Sequence, residues 1–564
     1  MFTLHAHSVY SLLEGAIKPN DLIAFAQKYE SGYAAITDTN GMYGAIQFAK
    51  KAEEEGIKPI LGAYIDDPET EEHYAVFVAR NNDGYAHLNK IITSRKLDED
   101  FRLVDIFLSD LSNLYVLTSS IELLKIISLT DNLRKTLRAE LVITEEKKHH
   151  SRDLYNFAKE NKIPVVATHP AYFKEPDDFL LHQVVTAIRE NSTLANLDKS
   201  LLVDEEYCLK PPKELEEMWK ALPEAIWNAD KIAQDCNVDL QFGKYKFPTY
   251  PLPYGETAFS YLWKVCFRGL EEKYHPITEQ AVKRLQYELQ VIDELGFCDY
   301  FLVVWDIVNE ARKRGMMTIG RGSAANSLVS YCLDFTQVDP IEQNLYFERF
   351  MNRGRTSPPD VDLDFSWRER DEIVKYIYDK YGYEKVAMIS TTVTFRARSA
   401  FRETAKVFGI PNEEISKYSK YIPWTSAENL PVLAEKFPES KSLSFDDEPW
   451  RSIIKIATQL AGFPRHLSIH PGGIVITDSP ITDYVALEYA KNKGLGLIIT
   501  QPDMYPIEDF GLIKIDLLSQ RSLGVLRDTM KKLTKDVPAE ARVVSGAKIF
   551  SIRPDNNKRE RKEN

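Results

Sequence analysis

The sequence predicts a multidomain α/β protein, and three observations predict it. The chain has 564 residues, which at roughly 150 residues per domain implies about three or four domains. Its first part alternates short apolar runs of strand type with runs of helix type, the pattern of a parallel sheet or (β/α) barrel. Farther along, two further strands carry charged residues two apart, so that those charges share one face of each strand.

Composition narrows the function. Hydrophobic residues make up 44% and charged residues 27%, as in folded proteins, which excludes wholesale disorder. The 71 Lys and Arg against 84 Asp and Glu leave a net charge of −13. That argues against a polycationic nucleic-acid coat but not against an enzyme with a local cationic groove. No apolar run approaches the roughly 18–20 residues of a membrane span. The opening MFTLHAHSVYS lacks the basic-then-apolar layout of a secretory signal. Cys208, Cys236, Cys266, Cys298 and Cys332 form no CxxC pair. They read as reduced thiols of a cytoplasmic protein, neither a disulfide framework nor a zinc ribbon.

The elements follow in order. Residues 20–30 suit a helix capped by Asn20, GYAAITD a buried strand, residues 43–55 a helix closed by Gly56, and IKPILGAYI a second strand. YAVFVAR, NLYVLTSS and IPVVATHPAYF continue the series, which is expected to run to about residue 235. A proline-rich hinge, FPTYPLPYGE, occupies 247–256. EQAVKRLQYELQVIDELG and YFLVVWDIVNEARKRG are helices stopped by Gly296 and Gly315. MMTIGRGSAANSLVSYCL reads as strand, glycine turn, helix, and SPPDVDLDFSW as a strand with three alternating aspartates. Residues 395–468 are helix-rich, with Arg396, Arg398, Arg402 and Lys406 early. GGIVIT and GLIKIDLLS are strands again, and the chain beyond about 530 weakens into a charged, disordered tail. There is no internal repeat.

Chemistry concentrates on PPDVDLDF. On a strand Asp360, Asp362 and Asp364 share a face. Three like charges side by side repel, no packing needs them, and a divalent cation removes the penalty. Mg²⁺ favours a few carboxylates plus phosphate oxygens, and two ions can activate an attacking oxygen and stabilise a leaving one. The bland alternative is a solvated edge strand. In GRGSAANS, residues 320–327, Gly320 and Gly322 would let the backbone approach a ligand, and Ser323 would cap the next helix and donate to an oxygen. An ordinary capped turn is the alternative, and no GK[ST] follows to make it a P-loop. In GLIKIDLLS, Lys514 and Asp516 lie on one face of an apolar strand, suited to substrate phosphate and to a third metal carboxylate, or else to a structural pair. Together these parts match phosphoryl or nucleotidyl transfer to a hydroxyl. Arg349, Arg353, Arg355, Arg368 and Arg370 would line a phosphate-rich channel, unless they bridge nearby acids.

In order, GRGSAANSLVSYCL, LYFERFMNRGR, PPDVDLDF, RHLSIHPGG and GLIKIDLLS resemble the palm of the bacterial C-family replicative polymerases, the DNA polymerase III alpha family. RHLSIHPGG is closer to the error-prone paralogues. The order and spacing of five motifs are far more specific than any one of them, and the resemblance covers about residues 1–530. It implies a polymerase-beta-like nucleotidyltransferase palm at 236–391 and 469–530. A helical thumb insert at 392–468 would grip duplex DNA through its backbone, and a divergent tail would fill 531–564. It implies Asp360, Asp362 and Asp516 as ligands of two Mg²⁺ ions, Gly322 and Ser323 as the turn holding the incoming triphosphate, and Lys514 near the phosphates. Asp364 is a further aspartate of the motif. The implied activity is DNA-directed DNA synthesis from deoxynucleoside triphosphates on primed template DNA. His466 and His470 fall where the insert rejoins the palm, with a structural or DNA-adjacent role.

HAHSVYSLLEGA, AITDTNGMYG and IKPILGAYI resemble the polymerase-and-histidinol-phosphatase (PHP) domain, here 1–235, a barrel-like fold that binds a metal cluster in active members. His5, His7 and Asp38 are retained. Thr39, Tyr64, Pro170 and Tyr172 stand where a histidine, a glutamate, an aspartate and a histidine are expected, and none of them can replace such ligands. The resemblance therefore implies a structural remnant that braces the palm. Only 48 residues follow Asp516, where the family continues into fingers, a clamp-binding part and an oligonucleotide-binding fold. The expectation is a chain truncated after the palm, whose fingers a separate chain could supply. Two alternatives stand beside the polymerase: a DNA- or partner-binding scaffold without turnover, and a PHP metal-dependent phosphoesterase or exonuclease.

Overall fold

The computed structural model describes residues 2–70, 72–127, 135–354, 359, 361–490 and 497–535. Packing divides the chain into two compact units, Met1–Pro248 with Tyr381–Lys514, and Thr249–Lys380 with the chain from Ile515 onward.

The first unit begins with a six-stranded sheet in sequence order, made of β1 (Tyr33–Thr39), β2 (Lys58–Asp66), β3 (Tyr74–Ala79), β4 (Leu114–Thr118), β5 (Leu137–Val142) and β6 (Val165–Thr168). Helices cover it, so β1 and β2 are buried on both faces and read as continuous apolar runs. The sheet is mixed rather than parallel. β3 runs antiparallel to both β2 and β4, while β1–β2, β4–β5 and β5–β6 are parallel. The link from β2 to β3 is short and carries no helix, so the chain turns back on itself. The strip around His5–His7 joins the two ends of the array. Thr37 N–H donates to Ala6 O beside β1, while His7 N–H donates to Ala171 O and Ala171 N–H to His5 O beyond β6. This is the barrel-like closure expected of a PHP domain. The first helix, Pro19–Lys28, is not capped by Asn20: Lys18 is the N-cap and Pro19 occupies the first turn, where its missing N–H costs nothing.

In the second unit the long helix Ala258–Lys273 packs against two others, Glu279–Glu294 and Cys298–Lys313, and the last of these packs against β7 (Thr318–Arg321), which pairs with β8 (Asp362–Ser366). Thr278 caps the second helix, and Gly296 and Gly315 follow the second and third with positive φ, as the sequence predicts.

The first unit resumes at β9 (Val386–Thr394) and β10 (Pro464–Ile476), with β11 (Leu487–Tyr489) and β12 (Ile498–Asp503) at the far edge. Ala387, Ile389, Val475, Val485 and Leu512 share one hydrophobic core with the barrel. Between β9 and β10 the helices Ala397–Val407, Asn412–Ser419 and Trp450–Gln459 enclose a smaller core around Phe401, Ile415 and Ile453. The last strand, β13 (Lys514–Gln520), leads into the helix Arg521–Lys535. Most of the tail expected to be disordered lies outside the described residues. All five cysteines are free and buried. Among the described residues no helix is long and apolar enough to cross a membrane.

Candidate active site

The charged face of the second unit is set by strand register. β13 runs parallel to β8 with Asp516 opposite Asp362, Leu517 opposite Leu363 and Leu518 opposite Asp364. On the other side β7 runs antiparallel to β8 with Arg321 opposite Asp362 and Ile319 opposite Asp364. Register partners on neighbouring strands point to the same side, and alternate residues of one strand do too. Asp362, Asp364, Asp516 and Arg321 therefore share one face. Leu363, Phe365 and Leu517 fill the opposite face and are fully buried, which fixes the alternation. Lys514 stands two residues before Asp516 on the same strand, with Nζ 3.6 Å from Glu508 Oε1. Asp360 lies outside the described residues, as does Arg355.

Asp364 has two side-chain partners. Its Oδ2 forms an ion pair with Arg321, 2.8 Å from Nε, and Oδ1 accepts a long bond of 3.4 Å from Gln520 Nε2. Burial pushes its carboxyl up, and Arg321 pulls it back. Sequence reasoning passed over Arg321, although it stands inside the glycine turn, because nothing local names its partner.

Glycines hold the turn for two different reasons. Gly322 has φ +72°, a left-handed conformation that disfavours other residues. At Gly320 a Cβ would lie 2.0 Å from Phe335 O, so a backbone carbonyl of the protein, not a ligand, takes that space. Ser323 lies in the 3₁₀ turn Gly322–Asn326 and does not cap the next helix; Ser327 does, accepting from Ser330 N–H. Beneath the turn Glu288 is fully buried. It accepts from Arg284 Nε at 2.6 Å, Ser327 Oγ at 2.7 Å and Val329 N–H at 3.0 Å. Arg284 also donates to Asn326 O and Leu345 O. This network ties the turn to the helix Glu279–Glu294.

Three of the neighbouring arginines are engaged by groups of the protein. Arg353 pairs with Glu294 at 2.6 Å, Arg370 donates to Leu517 O at 3.0 Å, and Arg368 lies 3.3 Å from Asp528. In the helical insert Arg398 bonds Ile422 O, Arg402 bonds Ser419 and Lys406 pairs with Glu403. Arg396 lies over the exposed Trp424. His470 Nδ1 accepts from Gly473 N–H at 2.6 Å, beside a break in register between Ile469 and Ile474 of β10. His466 is half-buried, and burial lowers its pKa.

In the barrel His5, His7 and Asp38 are brought close but are occupied. Asp38 accepts from Ser8 N–H, Ser8 Oγ and Ser11 Oγ at 2.6–2.8 Å. Burial pushes its carboxyl up to about 6 against those bonds. His5 Nδ1 bonds Glu140 Oε1 at 2.8 Å, and His5 Nε2 meets His7 Nε2 at 2.9 Å. His7 Nδ1 faces Ser11 and Thr39, both at 3.1 Å. Tyr172 stacks on His7 with ring centroids 3.9 Å apart, and Tyr64 packs beside both histidines. Burial, then His5, holds the His7 imidazole well below its usual range. Burial opposes the charge on Glu140, but His5 keeps its carboxyl below the ordinary value. Sequence reasoning missed both β5 and Glu140. Alternation in LRAELV marks Glu140 as a surface residue, whereas in the fold its side points at His5. Among the described residues no group of three or more His, Cys, Asp or Glu converges on a metal position.

Comparison with known proteins follows this division. Residues 260–519 match the family model of the bacterial DNA polymerase III alpha NTPase domain, and residues 3–122 that of the PHP domain. The DNA polymerase III subunit alpha of Bacillus subtilis is 33% identical over 94% of this chain and 49% of its own length. The error-prone DNA polymerase of Symbiobacterium thermophilum is 33% identical over 94% of this chain and 52% of its own. The DNA polymerase III subunit alpha of Halalkalibacterium halodurans is 34% identical over 97% and 51%. The chain spans about half the length of these relatives. It carries a PHP domain and a DNA polymerase III alpha NTPase domain, and its resemblance to the C-family polymerases extends along nearly the whole sequence.

Proposed function

We propose that the second unit is the catalytic palm of a DNA-directed DNA polymerase, transferring a nucleotidyl group from a deoxynucleoside triphosphate to a primer 3′-hydroxyl on template DNA. One observation carries this reading: Asp362 and Asp516, far apart in sequence, are register partners on adjacent strands and share a face. Two like charges so placed suit a hard divalent cation with oxygen ligands, Mg²⁺ first among them. Asp362 and Asp516, with Asp360, would hold two such ions. When bound, the ions favour the ionised primer hydroxyl and neutralise charge on the departing pyrophosphate. The chain's own groups position the reactants. Gly322 and Ser323 offer backbone N–H and hydroxyl donors to the triphosphate. Lys514, two residues before Asp516 in the sequence, would neutralise phosphate charge.

The barrel is proposed as a brace. Tyr172 and Tyr64 fill the space beside His5 and His7. Strands β9 to β12 share the barrel's hydrophobic core. This packing does not favour a metal-dependent phosphoesterase. Zinc or manganese at stoichiometric level on the wild-type protein, lost in His5→Ala, would overturn the brace.

The test is single-nucleotide primer extension by the 564-residue chain with Mg²⁺, comparing wild type with Asp362→Asn and Asp516→Asn. Incorporation by wild type, abolished in both variants and by EDTA, supports the reading. Wild-type rates in either variant refute it. Binding of primed DNA without incorporation by wild type favours a scaffold, or a catalyst whose fingers come from a separate chain.

A further inference from the structure

Four consecutive residues after β8 reach across to β13 and the helix that follows it. A Cβ at Gly524 would lie 2.7 Å from Trp367 Cδ1, so the Trp367 ring covers that glycine. Arg368 Nε is 3.3 Å from Asp528 Oδ2, and Glu369 Oε1 is 3.3 Å from Arg527 Nη1. Those three side chains meet the helix Arg521–Lys535. The fourth, Arg370, meets the strand: its Nε donates to Leu517 O at 3.0 Å. Leu517 follows Asp516 and is the register partner of Leu363, which follows Asp362.

Arg370 is an unfavourable residue in this place. It is the first residue of the helix Arg370–Tyr381, where a cation opposes the macrodipole. Its side chain is only 13% exposed, and burial disfavours a guanidinium that is not fully paired. The acid beside it, Asp371, lies 3.1 Å from Nη1 but is 85% exposed, so solvent screens that pair. Arg370 Nη2 is buried with no hydrogen-bond partner among the described residues. Ion pairing therefore does not explain a buried cation here. What the guanidinium does hold is one backbone carbonyl, next to a proposed metal carboxylate.

We propose that Arg370 is a positioning residue for Asp516: its guanidinium, fixed on Leu517 O, sets β13 against β8 so that Asp362 and Asp516 present to one divalent cation. The inference rests on the polymerase reading, which supplies the cation. Mg²⁺ demands near-octahedral geometry with oxygens at about 2.0–2.1 Å, so a small displacement of one carboxylate weakens binding. Removing a group that orients a metal ligand from behind typically changes metal affinity by about 10- to 100-fold.

The experiment measures Mn²⁺ binding to the full chain from the electron paramagnetic resonance signal of the free ion, with Mn²⁺ standing in for Mg²⁺. Wild type should bind saturably, and Asp516→Asn should weaken binding. Arg370→Met, which removes the donors but keeps the length, should weaken it about tenfold. It should add nothing in the Asp516→Asn background, the signature of a residue acting through another. Arg370→Lys keeps a donor without the planar fork and should lose less than Arg370→Met. Glu369→Gln is the control: it loosens the hold on the helix but leaves the Leu517 bond in place, so it should lower the melting temperature and leave Mn²⁺ affinity unchanged. In single-nucleotide primer extension Arg370→Met should raise the half-activating Mg²⁺ concentration by the same factor, with the nucleotide KM at saturating Mg²⁺ unchanged. Thermal melting shows that each variant is folded. Wild-type Mn²⁺ affinity in Arg370→Met overturns the inference and leaves the polymerase reading intact. Equal weakening in Glu369→Gln and Arg370→Met reduces the effect to general loosening and overturns it as well. Mn²⁺ binding indifferent to Asp516→Asn overturns the metal reading itself, and the inference with it.

Discussion

Replacing Glu288 tests whether the turn of the candidate site is held from beneath. Its carboxylate is fully buried and accepts three hydrogen bonds, from Arg284, Ser327 and Val329. Burial pushes the carboxyl up, and Arg284 with the backbone donors opposes that shift. Glu288→Ala removes the acceptor and strands a guanidinium and a backbone N–H. Breaking a buried pair from one side costs about 3–5 kcal/mol. The lower end applies here, because the Arg284 side chain is 25% exposed and keeps two carbonyl partners at 3.2 Å. The expected loss is about 3 kcal/mol, read as a shift of the urea midpoint at unchanged slope. Glu288→Gln retains an acceptor and most of the volume, so about 1–2 kcal/mol is expected. Because Ser327 caps the helix after the turn and Arg284 bonds Asn326 O, both variants should also raise the nucleotide KM. A loss below about 1 kcal/mol for Glu288→Ala would refute the claim that this network anchors the turn.

Two further outcomes follow from the same structure. Gly320→Ala places a Cβ 2.0 Å from Phe335 O and 2.9 Å from its carbonyl carbon. Backbone cannot swing aside as a side chain can, so a loss of about 1–3 kcal/mol is expected in thermal or urea unfolding; a neutral result would mean the strand end yields freely. Burial holds the His169 imidazole down at about 4 from an ordinary 6.5. Its Nε2 bonds Glu206 O, whereas its buried Nδ1 has no partner among the described residues. Between those two pH values the unfolded chain binds a proton that the folded one refuses, so stability is full above pH 6.5 and is lost as pH falls through 4. At ~1.4 kcal/mol per pH unit the loss is about 3 kcal/mol. The difference between wild type and His169→Asn in urea midpoint should change across that window, and a pH-independent difference would refute it.

Much of this protein was legible before any coordinates. Residue alternation placed Asp362 and Asp364 on one face and Leu363 and Phe365 on the other. Gly296, Gly315 and Gly56 ended their helices with the positive φ only glycine takes easily. The strands of the barrel were read from apolar runs, except β5, whose Glu140 imitates a surface position. These are local properties: the period of a strand or helix and the steric freedom of a glycine act over a few residues. Register, strand direction and charge partners are not local. Only the folded sheet set Asp516 beside Asp362, turned β3 antiparallel, directed Arg321 to Asp364, gave Gly320 to the Phe335 carbonyl and moved the helix cap from Ser323 to Ser327. Each of these depends on which distant segment supplies the neighbouring atom. A sequence states which residues can carry charge or bend; three-dimensional packing decides which charges meet, because pairing energy falls off within a few ångströms and is indifferent to distance along the chain.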